Sequence, residues 1–272
     1  MNILIVDGNE KKASEKYTKL GMKTQYEVYR DVLEELGIKK ISIIHPAIKD
    51  NFLPKGLSLG DFDGIAWTGS LLNIYDLTPP IIRQIELAKK LLTKKNKIFG
   101  SCWGLHVLVT AAGGKIRKNP NGLEAVVAKK IKLNDEGINH RMYKGKSKIF
   151  NAFCWHYDEA EYLPSNTKVL ASNSKSKFQS IVFKKNNSSV WAVQYHPEFD
   201  PKWMAGLMAQ RKKILIKEKI YNSLDEFNHQ KYFFENFKNK KVKFDKKKYN
   251  DLMNTKNHTL ELKNWLKYLN QK

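Results

Sequence analysis

The stretch Lys97-Ile-Phe-Gly-Ser-Cys102-Trp-Gly-Leu-His-Val-Leu-Val-Thr-Ala-Ala-Gly113 places a single cysteine between an apolar strand and an amphipathic helix. Gly100 and Gly104 flank Cys102 in the manner of a nucleophile elbow, a tight turn that has room only for small neighbours. The helix that follows directs free backbone N–H groups and a partial positive charge at the sulfur, which favours the thiolate. The alternative is a buried cysteine in an ordinary strand–helix turn.

A second stretch, Val190-Trp-Ala-Val-Gln-Tyr-His196-Pro-Glu198, supplies a base and a carboxylate. The apolar, β-branched run predicts a buried strand, and the proline ends it. His196 and Glu198 therefore leave the strand close together. A catalytic cysteine needs a neighbouring base, and the base needs a third group to hold its tautomer. A lone histidine at a strand end is more often structural, but the cysteine upstream favours the catalytic interpretation.

Together, these two stretches resemble the class I glutamine amidotransferases. Gly-Ser-Cys102-Trp-Gly matches the nucleophile motif of that family, and Tyr-His196-Pro-Glu198 matches its His-x-Glu motif, in the same order. The resemblance covers residues 1–210 and implies a flavodoxin-like, doubly wound, mostly parallel α/β sheet. It also implies a Cys102–His196–Glu198 triad that hydrolyses the side-chain amide of glutamine through a γ-glutamyl thioester.

The same resemblance implies an oxyanion hole of backbone N–H groups. The predicted strand Phe62–Trp67 runs into Thr68-Gly-Ser, where the family has a glycine-rich loop, although Ser70 stands where a second glycine is common. We expect the N–H of Gly69 or Ser70, together with that of Trp103, to bind the oxyanion. A plain strand-to-loop turn is the alternative.

Two further histidines are candidates for substrate binding. His106 lies one helical turn past Cys102 and faces the same region, at a position where many family members have glutamine. A packed histidine without a chemical role is the alternative. His156 lies in Phe153-Cys-Trp-His156-Tyr-Asp158, which resembles the His-x-Asp segment that borders the glutamine pocket in GMP-synthase-like amidotransferase domains. On chemistry alone His156 competes with His196 as the base, but only His196 has the Pro-Glu context.

The chain has 272 residues, enough for one large domain or for one domain with an appendage. It carries 49 Lys+Arg against 27 Asp+Glu, a net charge of +22, which often accompanies nucleic-acid or membrane binding. Arginine supplies only five of the 49, although arginine is the better residue for phosphate and base recognition. We therefore attribute the charge to a general lysine bias and do not expect a nucleic-acid partner.

No window approaches the roughly 20 apolar residues of a membrane span. The start, Met1-Asn-Ile-Leu-Ile-Val-Asp, lacks the basic region of a signal peptide. The two cysteines, Cys102 and Cys154, show no metal-binding spacing and favour a reduced, cytoplasmic protein. Cys154 is expected to pack in a strand and to be inert. No Walker-type loop or dinucleotide fingerprint is present, and we expect neither a metal nor a cofactor.

Alternating strands and helices in the first half of the chain predict the doubly wound sheet. Expected strands are Ile3–Val6, Ile41–Ile44 and Phe62–Trp67, expected helices are Gln25–Leu36 and Pro79 to about Lys94, and residues 10–24 are predicted to be a loop. Further short strands are expected at Leu123–Ile131, Lys148–Asn151, Phe153–Tyr157, Val169–Ala171, Ser180–Phe183 and Val190–Tyr195.

A helix is predicted over residues 201–220. The composition of the chain then changes. Residues 211–272 hold 17 Lys+Arg and 7 Asp+Glu, with aromatic residues interleaved. That pattern is compatible with nucleic-acid stacking. The apolar spacing of Thr259-Leu-Glu-Leu-Lys-Asn-Trp265-Leu-Lys-Tyr-Leu instead favours a helix docked on the core. We expect an amidotransferase domain over residues 1–210 and a basic helical extension over residues 211–272, similar to that of stand-alone GMP-synthase-like amidotransferases.

Three functions are compatible with these features. The first is a glutamine amidotransferase or glutaminase whose ammonia goes to a separate synthetase or other acceptor subunit, because about 60 tail residues cannot hold a synthetase domain. The second is a stand-alone γ-glutamyl hydrolase that uses the same triad on γ-glutamyl peptides or amines. The third is a non-catalytic module that binds an anionic partner through the basic tail.

Overall fold

The strands and helices of the chain alternate through most of its length. A computed structural model describes residues 1–50, 52–53, 55–239 and 249–271. In these ranges the strands are β1 (Asn2–Val6), β2 (Lys40–Ile44), β3 (Gly64–Trp67), β4 (Lys97–Ser101), β5 (Lys115–Lys118), β6 (Glu124–Leu133), β7 (Ile149–His156), β8 (Asp158–Tyr162), β9 (Lys168–Ser172), β10 (Ser180–Lys185) and β11 (Ser188–Val193). The helices are α1 (Lys11–Lys19), α2 (Gln25–Glu35), α3 (Pro79–Leu92), α4 (Trp103–Ala111), α5 (Asp135–Asn139), α6 (Pro201–Gln210), α7 (Lys212–Lys217), α8 (Leu224–Glu235), α9 (Asn250–Met253), α10 (Thr255–His258) and α11 (Leu260–Leu269).

Within these ranges, nine strands form one mixed sheet in the order β2-β1-β3-β4-β11-β10-β9-β6-β7. The five strands from β2 to β11 are parallel to one another. The remaining strands continue the sheet in antiparallel pairs, and β5 and β8 form a separate antiparallel ribbon. The doubly wound α/β fold that the sequence predicts is therefore confirmed.

The parallel half of the sheet is buried on both faces, as continuous apolar strands require. Ile3 and Ile5 of β1 pack on one face with residues of α2 and α11. Leu4 and Val6 point to the other face and pack with residues of α3 and α4. The alternation follows from the two-residue period of a strand.

The carboxyl ends of the parallel strands meet at one edge of the sheet. Asp7 follows β1, Thr68 follows β3, Cys102 follows β4 and Gln194 follows β11. Ligands of open α/β sheets bind in the crevice beyond these strand ends. The two motifs, about ninety residues apart in the chain, therefore converge at this edge because β4 and β11 are neighbours.

The local structure differs from the sequence predictions in several places. Residues 10–24 are not a loop, because α1 forms there and buries Tyr17 against Trp203, with ring centroids 5.6 Å apart. The single helix predicted over residues 201–220 is two helices, broken at Arg211. The strands predicted at Lys148–Asn151 and Phe153–Tyr157 are one continuous strand, β7, and neither β5 nor β8 was predicted.

Helix α11 lies on the face of the sheet that carries α2. Gly64 of β3 is so close to it that a Cβ atom there would come within 2.4 Å of Leu269 Cδ1. Glu261 of α11 is fully buried, where it pairs with Lys146 Nζ at 3.0 Å and accepts a hydrogen bond from the Tyr195 hydroxyl at 2.7 Å. Residues 240–248 and 272 of the predicted extension lie outside the described residues, and its boundary at residue 211 stays a prediction. Among the helices of the described ranges, none has the length and apolarity to cross a bilayer.

Candidate active site

Cys102 lies in the tight turn between β4 and α4. Its backbone has φ 50° and ψ −99°, a strained conformation for a residue with a side chain. Its N–H donates to the carbonyl of Val193 at 2.8 Å, which ties the turn to β11. Gly104 passes so close to β3 that a Cβ atom there would lie 2.8 Å from the Trp67 carbonyl oxygen. The elbow therefore depends on a glycine after the cysteine, as its motif indicates.

The thiol of Cys102 is protonated in the resting site. Burial raises the pKa of the Cys102 thiol, and the negative charge of Glu198 raises it further. The backbone N–H of Trp103 at the start of α4 lowers the pKa, but by less. As the sequence predicts, the helix N-terminus acts to favour the thiolate, but the burial of a side chain that is only 3% exposed outweighs this effect. The cysteine needs a base during its attack.

The imidazole ring of His196 is fixed in place by its neighbours. Its Nδ1 lies 2.7 Å from Glu198 Oε1, and its ring stacks on Phe199 with centroids 3.9 Å apart. A Cβ atom on Gly69 would lie 2.5 Å from His196 Cε1, so only glycine leaves room for the imidazole. Nε2 has no hydrogen-bond partner in the described part of the chain. With Nδ1–H donating to the carboxylate, the lone pair of Nε2 is available to accept a proton.

His156 is also buried, but both of its ring nitrogens are engaged. Nε2 lies 2.9 Å from Glu124 Oε2, and Nδ1 lies 2.9 Å from the carbonyl oxygen of Asp158. Both ring nitrogens therefore lie within hydrogen-bond distance of an oxygen atom. His156 lines the cavity beside Cys102, where it has no free nitrogen with which to accept a proton.

His106 lines the same cavity as a neutral imidazole. Burial lowers the pKa of His106 to about 4. Its Nε2 lies 3.0 Å from Gln194 Oε1. Sequence reasoning missed Gln194, whose only signal was its place between β11 and His196.

A cavity of about 390 Å³ opens over Cys102. Asp158 lines it and accepts a hydrogen bond from the Tyr75 hydroxyl at 3.1 Å. Burial raises the pKa of the Asp158 carboxyl, which the hydrogen bond from Tyr75 partly offsets. Burial, with the charge of Asp158, raises the pKa of Tyr75 to about 12, so this hydroxyl stays a donor. Tyr75, Lys118 and Arg211 also line the cavity, and no sequence motif singled them out.

The loop after β3 contains Gly69 and Ser70, two of the residues predicted for the oxyanion hole. The carbonyl oxygen of Gly69 accepts from Asn9 Nδ2 at 3.1 Å and from Thr68 Oγ1 at 2.9 Å. Ser70 lines the cavity. In the part of the chain that the structure describes, the N–H groups of Gly69 and Ser70 have no protein acceptor. Two free donors beside a buried thiol suit an anionic oxygen.

Comparisons with known proteins agree with this geometry. The family model "Glutamine amidotransferase class-I" matches residues 30–214. The chain is 31% identical over 233 residues to a gamma-glutamyl-L-1-hydroxyisopropylamide hydrolase from a Pseudomonas species, covering 84% of this chain and 78% of that enzyme. It is 26% identical over 173 residues to a glutamine-hydrolyzing GMP synthase from Wigglesworthia glossinidia brevipalpis, covering 61% of this chain and 30% of the synthase.

Solved structures show the same fold over the whole chain. The crystal structure of a glutamine amidotransferase from Thermotoga maritima superimposes with a TM-score of 0.69 at 14% identity, covering 100% of this chain and 99% of that one. The resemblance that the two sequence motifs indicated is confirmed by the family match. The chain belongs to the class I glutamine amidotransferase family.

Proposed function

We propose that this protein hydrolyses γ-glutamyl amide bonds with Cys102 as the nucleophile, His196 as the base and Glu198 as the group that orients His196. The observation that carries the proposal is a histidine whose Nδ1 lies 2.7 Å from a buried carboxylate and whose Nε2 is free in the described chain, just beyond the strand next to the one that leads into the strained Cys102 turn. A nucleophile, an oriented base and free N–H donors are the parts that acyl transfer requires.

In the first half of the reaction, His196 Nε2 takes the thiol proton while the sulfur attacks the γ-carbonyl carbon. The N–H groups of Gly69 or Ser70 and of Trp103 stabilise the oxyanion that develops. The carbon–nitrogen bond then breaks, and His196 delivers its proton to the departing ammonia or amine. The glutamyl group remains on Cys102 as a thioester.

In the second half, water replaces the amine. His196 takes a proton from the water as its oxygen attacks the thioester carbon. The carbon–sulfur bond breaks, the sulfur recovers the proton, and glutamate leaves. The neutral resting thiol fits this cycle, because the same histidine both removes and restores the sulfur's proton.

Asp158 and the two pocket histidines are proposed to hold the glutamyl group. The Asp158 carboxylate lies in the cavity, with Tyr75 bonded to one of its oxygens, and is a suitable acceptor for the α-ammonium group. His106 and His156 line the same cavity and would contact the substrate without exchanging protons with it.

Two substrate classes are compatible with the site. Glutamine would yield ammonia for a separate synthetase subunit, and the likeness to a GMP synthase supports this candidate. Substituted γ-glutamyl amides would yield an amine, and the likeness to a γ-glutamyl amide hydrolase over 84% of the chain supports this second candidate. The cavity of about 390 Å³ lies within the size range of sites for small molecules, so it accommodates a leaving group.

Glutamate release tests the proposal. The purified protein would be incubated with glutamine and with γ-glutamylethylamide, and glutamate, ammonia and ethylamine would be measured by mass spectrometry. We expect Cys102→Ala to abolish glutamate release. Cys154→Ala, which removes the other free and buried cysteine, is the matched control and should retain it. Full activity in Cys102→Ala would disprove the assignment.

The non-catalytic alternative stays a separate prediction. A binding module for an anionic partner would bind nucleic acid with a steep dependence on salt concentration. Absence of binding at near-physiological salt would remove it. The two free cysteines support the predicted reducing, cytoplasmic location.

A further inference from the structure

Arg211 is a cation in the wall of the candidate active site. It lies at the junction of α6 and α7 and lines the cavity that holds Cys102. Its Nε is buried and has no hydrogen-bond partner among the residues that the structure describes. Over the ranges that the structure describes, no carboxylate lies within ion-pair distance of its guanidinium group. A partly buried guanidinium without a partner is costly unless a ligand supplies the anion.

The other four arginines all have polar partners. These are Asp31 for Arg30, Asp50 for Arg83, Glu159 for Arg117 and the side-chain oxygen of Gln271 for Arg141. Arg211 therefore differs from the other four arginines of this protein. The difference coincides with its position in the cavity.

The charges that line the cavity fall into two groups. Asp158 and Lys118 are directly opposite each other across the β5–β8 ribbon, so they offer a carboxylate and an ammonium group together. That pair complements the ammonium and carboxylate groups of an amino acid, which is the glutamyl end of the substrate. Arg211 comes from a different element, with Tyr157 and Ile214 beside it in the cavity wall. Once the Asp158–Lys118 pair is assigned to the two charged groups of the glutamyl end, the positive charge of Arg211 has no counterpart on that end of the substrate.

We propose that Arg211 binds a second carboxylate, carried by the leaving group, and that γ-glutamyl amino acids or peptides are the preferred substrates. A γ-glutamyl amino acid carries one ammonium group and two carboxylates, and the cavity offers one carboxylate and two cations. Glutamine and γ-glutamyl alkylamines lack the second carboxylate. A guanidinium group binds a carboxylate through two parallel N–H bonds.

This inference rests on the proposed hydrolysis at Cys102. The overall reaction is that of the γ-glutamyl amide with water to give glutamate and a free amino acid. No oxidation or reduction takes place, and the proton that His196 carries ends on the amine.

Three substrates and four proteins test the inference. The values of kcat/KM would be measured for γ-glutamylalanine, γ-glutamylalaninamide and glutamine, of which the first two differ only in a carboxylate replaced by a carboxamide. We expect the wild-type protein to favour γ-glutamylalanine over the amide by about 10- to 100-fold, the range for a hydrogen-bonded charge pair. Arg211→Met should bring this ratio close to one, and Arg211→Lys should retain part of it, because lysine keeps the charge but not the planar fork.

Lys213→Met is the matched control. It removes a cation from the same helix, but Lys213 is exposed and does not line the cavity, so the substrate ratio should equal that of the wild type. Because the ratio compares two substrates on one protein, a partly destabilised variant still reports it correctly. Thermal unfolding of each variant would verify that it is folded.

Two results would overturn the role of Arg211. One is a wild-type ratio near one. The other is an equal loss on all three substrates in Arg211→Met, which would assign Arg211 to the glutamyl end or to the fold. If the wild-type protein releases glutamate from none of the substrates, the proposed hydrolysis fails and this inference fails with it. Release of glutamate with no preference for the carboxylate defeats the inference alone.

Discussion

Two buried histidine–carboxylate pairs lie beside the cavity of this protein, and they differ in what their remaining atoms do. His196 bonds Glu198 at 2.7 Å, and His156 bonds Glu124 at 2.9 Å. In the first pair, Glu198 Oε2 is buried without a partner, and His196 Nε2 is free within the described structure. In the second pair, both nitrogens of His156 are engaged.

Glu124 is correspondingly saturated with hydrogen bonds. Asn173 Nδ2 and Gln179 Nε2 each donate to one of its oxygens at 2.6 Å. Burial disfavours the charge of Glu124, but the hydrogen bonds from His156, Asn173 and Gln179 outweigh it and hold the pKa of Glu124 below its ordinary value. The comparison supports the proposal that the pair with free atoms exchanges protons, while the fully hydrogen-bonded pair shapes the pocket.

The largest expected difference is between the two histidines. His196→Ala should lower kcat by about 1,000- to 10,000-fold, because the neutral thiol loses the base that activates it. His156→Ala should raise KM and lower kcat by about tenfold or less, because this ring contacts substrate without accepting a proton. Steady-state kinetics on γ-glutamyl substrates would compare them. Equal losses of kcat would remove the distinction between the pairs.

The carboxylates of the two pairs should differ in their effect on kcat in the same way as the two histidines do. Glu198→Gln should lower kcat by about 100-fold, because the amide orients the imidazole less well and no longer stabilises its cationic form. Glu124→Gln serves as the matched substitution in the other pair, and kcat should change by less than about tenfold, as expected for a group that does not touch the reacting atoms. A larger loss in Glu124→Gln than in Glu198→Gln would reverse the assignment.

Glu124→Gln, which has the smaller expected effect on kcat, should have the larger effect on the free energy of unfolding. Glu124→Gln should lower the free energy of unfolding at pH 7 by about 2 kcal/mol, because it breaks a buried, charge-assisted network. The pKa of Glu124 is lower in the folded than in the unfolded state, so its contribution is present above the ordinary carboxyl pKa and is lost as pH falls through the folded value. Urea unfolding of wild type and variant at pH 7 and pH 4 would measure this. A variant as stable as the wild type at pH 7 would contradict it.

The smallest expected effect concerns the neutral histidine of the pocket. Since burial lowers the pKa of His106 to about 4, the unfolded state binds its proton first, and stability falls as pH drops from about 6.5 toward 4. His106→Gln should reduce this slope by about 1.4 kcal/mol per pH unit. It should change kcat by less than about tenfold, because His106 Nε2 is bonded to Gln194 and the ring does not serve as the base.

His258 provides a control for that prediction, since burial also lowers its pKa to about 4 and it lies outside the cavity of Cys102. His258→Gln should flatten the dependence of stability on pH to a similar extent without any change in KM. If only His106→Gln reduces the dependence of stability on pH, an effect other than burial controls the pKa values of these two histidines.

The parts of the fold that sequence could predict are those that local pattern determines. Apolar strands, the proline that starts α3 and the glycine after Cys102 each act on their immediate neighbours. Helix α1 was missed because a single aromatic residue, Tyr17, anchors it through contact with Trp203, far along the chain.

The residues of the candidate site also divide into those that a local motif predicts and those that only the folded structure reveals. The motifs around Cys102 and His196 are local, and the pairing of β4 with β11 brings the two motifs to the same edge of the sheet. The helix N-terminus lowers the pKa of Cys102 as predicted, but burial raises this pKa by more, and that burial depends on the whole fold. Arg211 and Tyr75 reach the cavity from distant elements without any motif, so only the structure reveals them.

The central claim is that His196, and not His156, activates Cys102 toward a γ-glutamyl carbonyl. Its most direct test is the rate at which diazo-oxo-norleucine, a glutamine-mimicking electrophile, labels wild type, His196→Ala and His156→Ala, read by intact-protein and peptide mass spectrometry. We predict a stoichiometric adduct on Cys102 that glutamine or a γ-glutamyl amide slows. Labelling should be at least about 100-fold slower in His196→Ala and should persist in His156→Ala. Undiminished labelling in His196→Ala, or an adduct on Cys154, would contradict the claim.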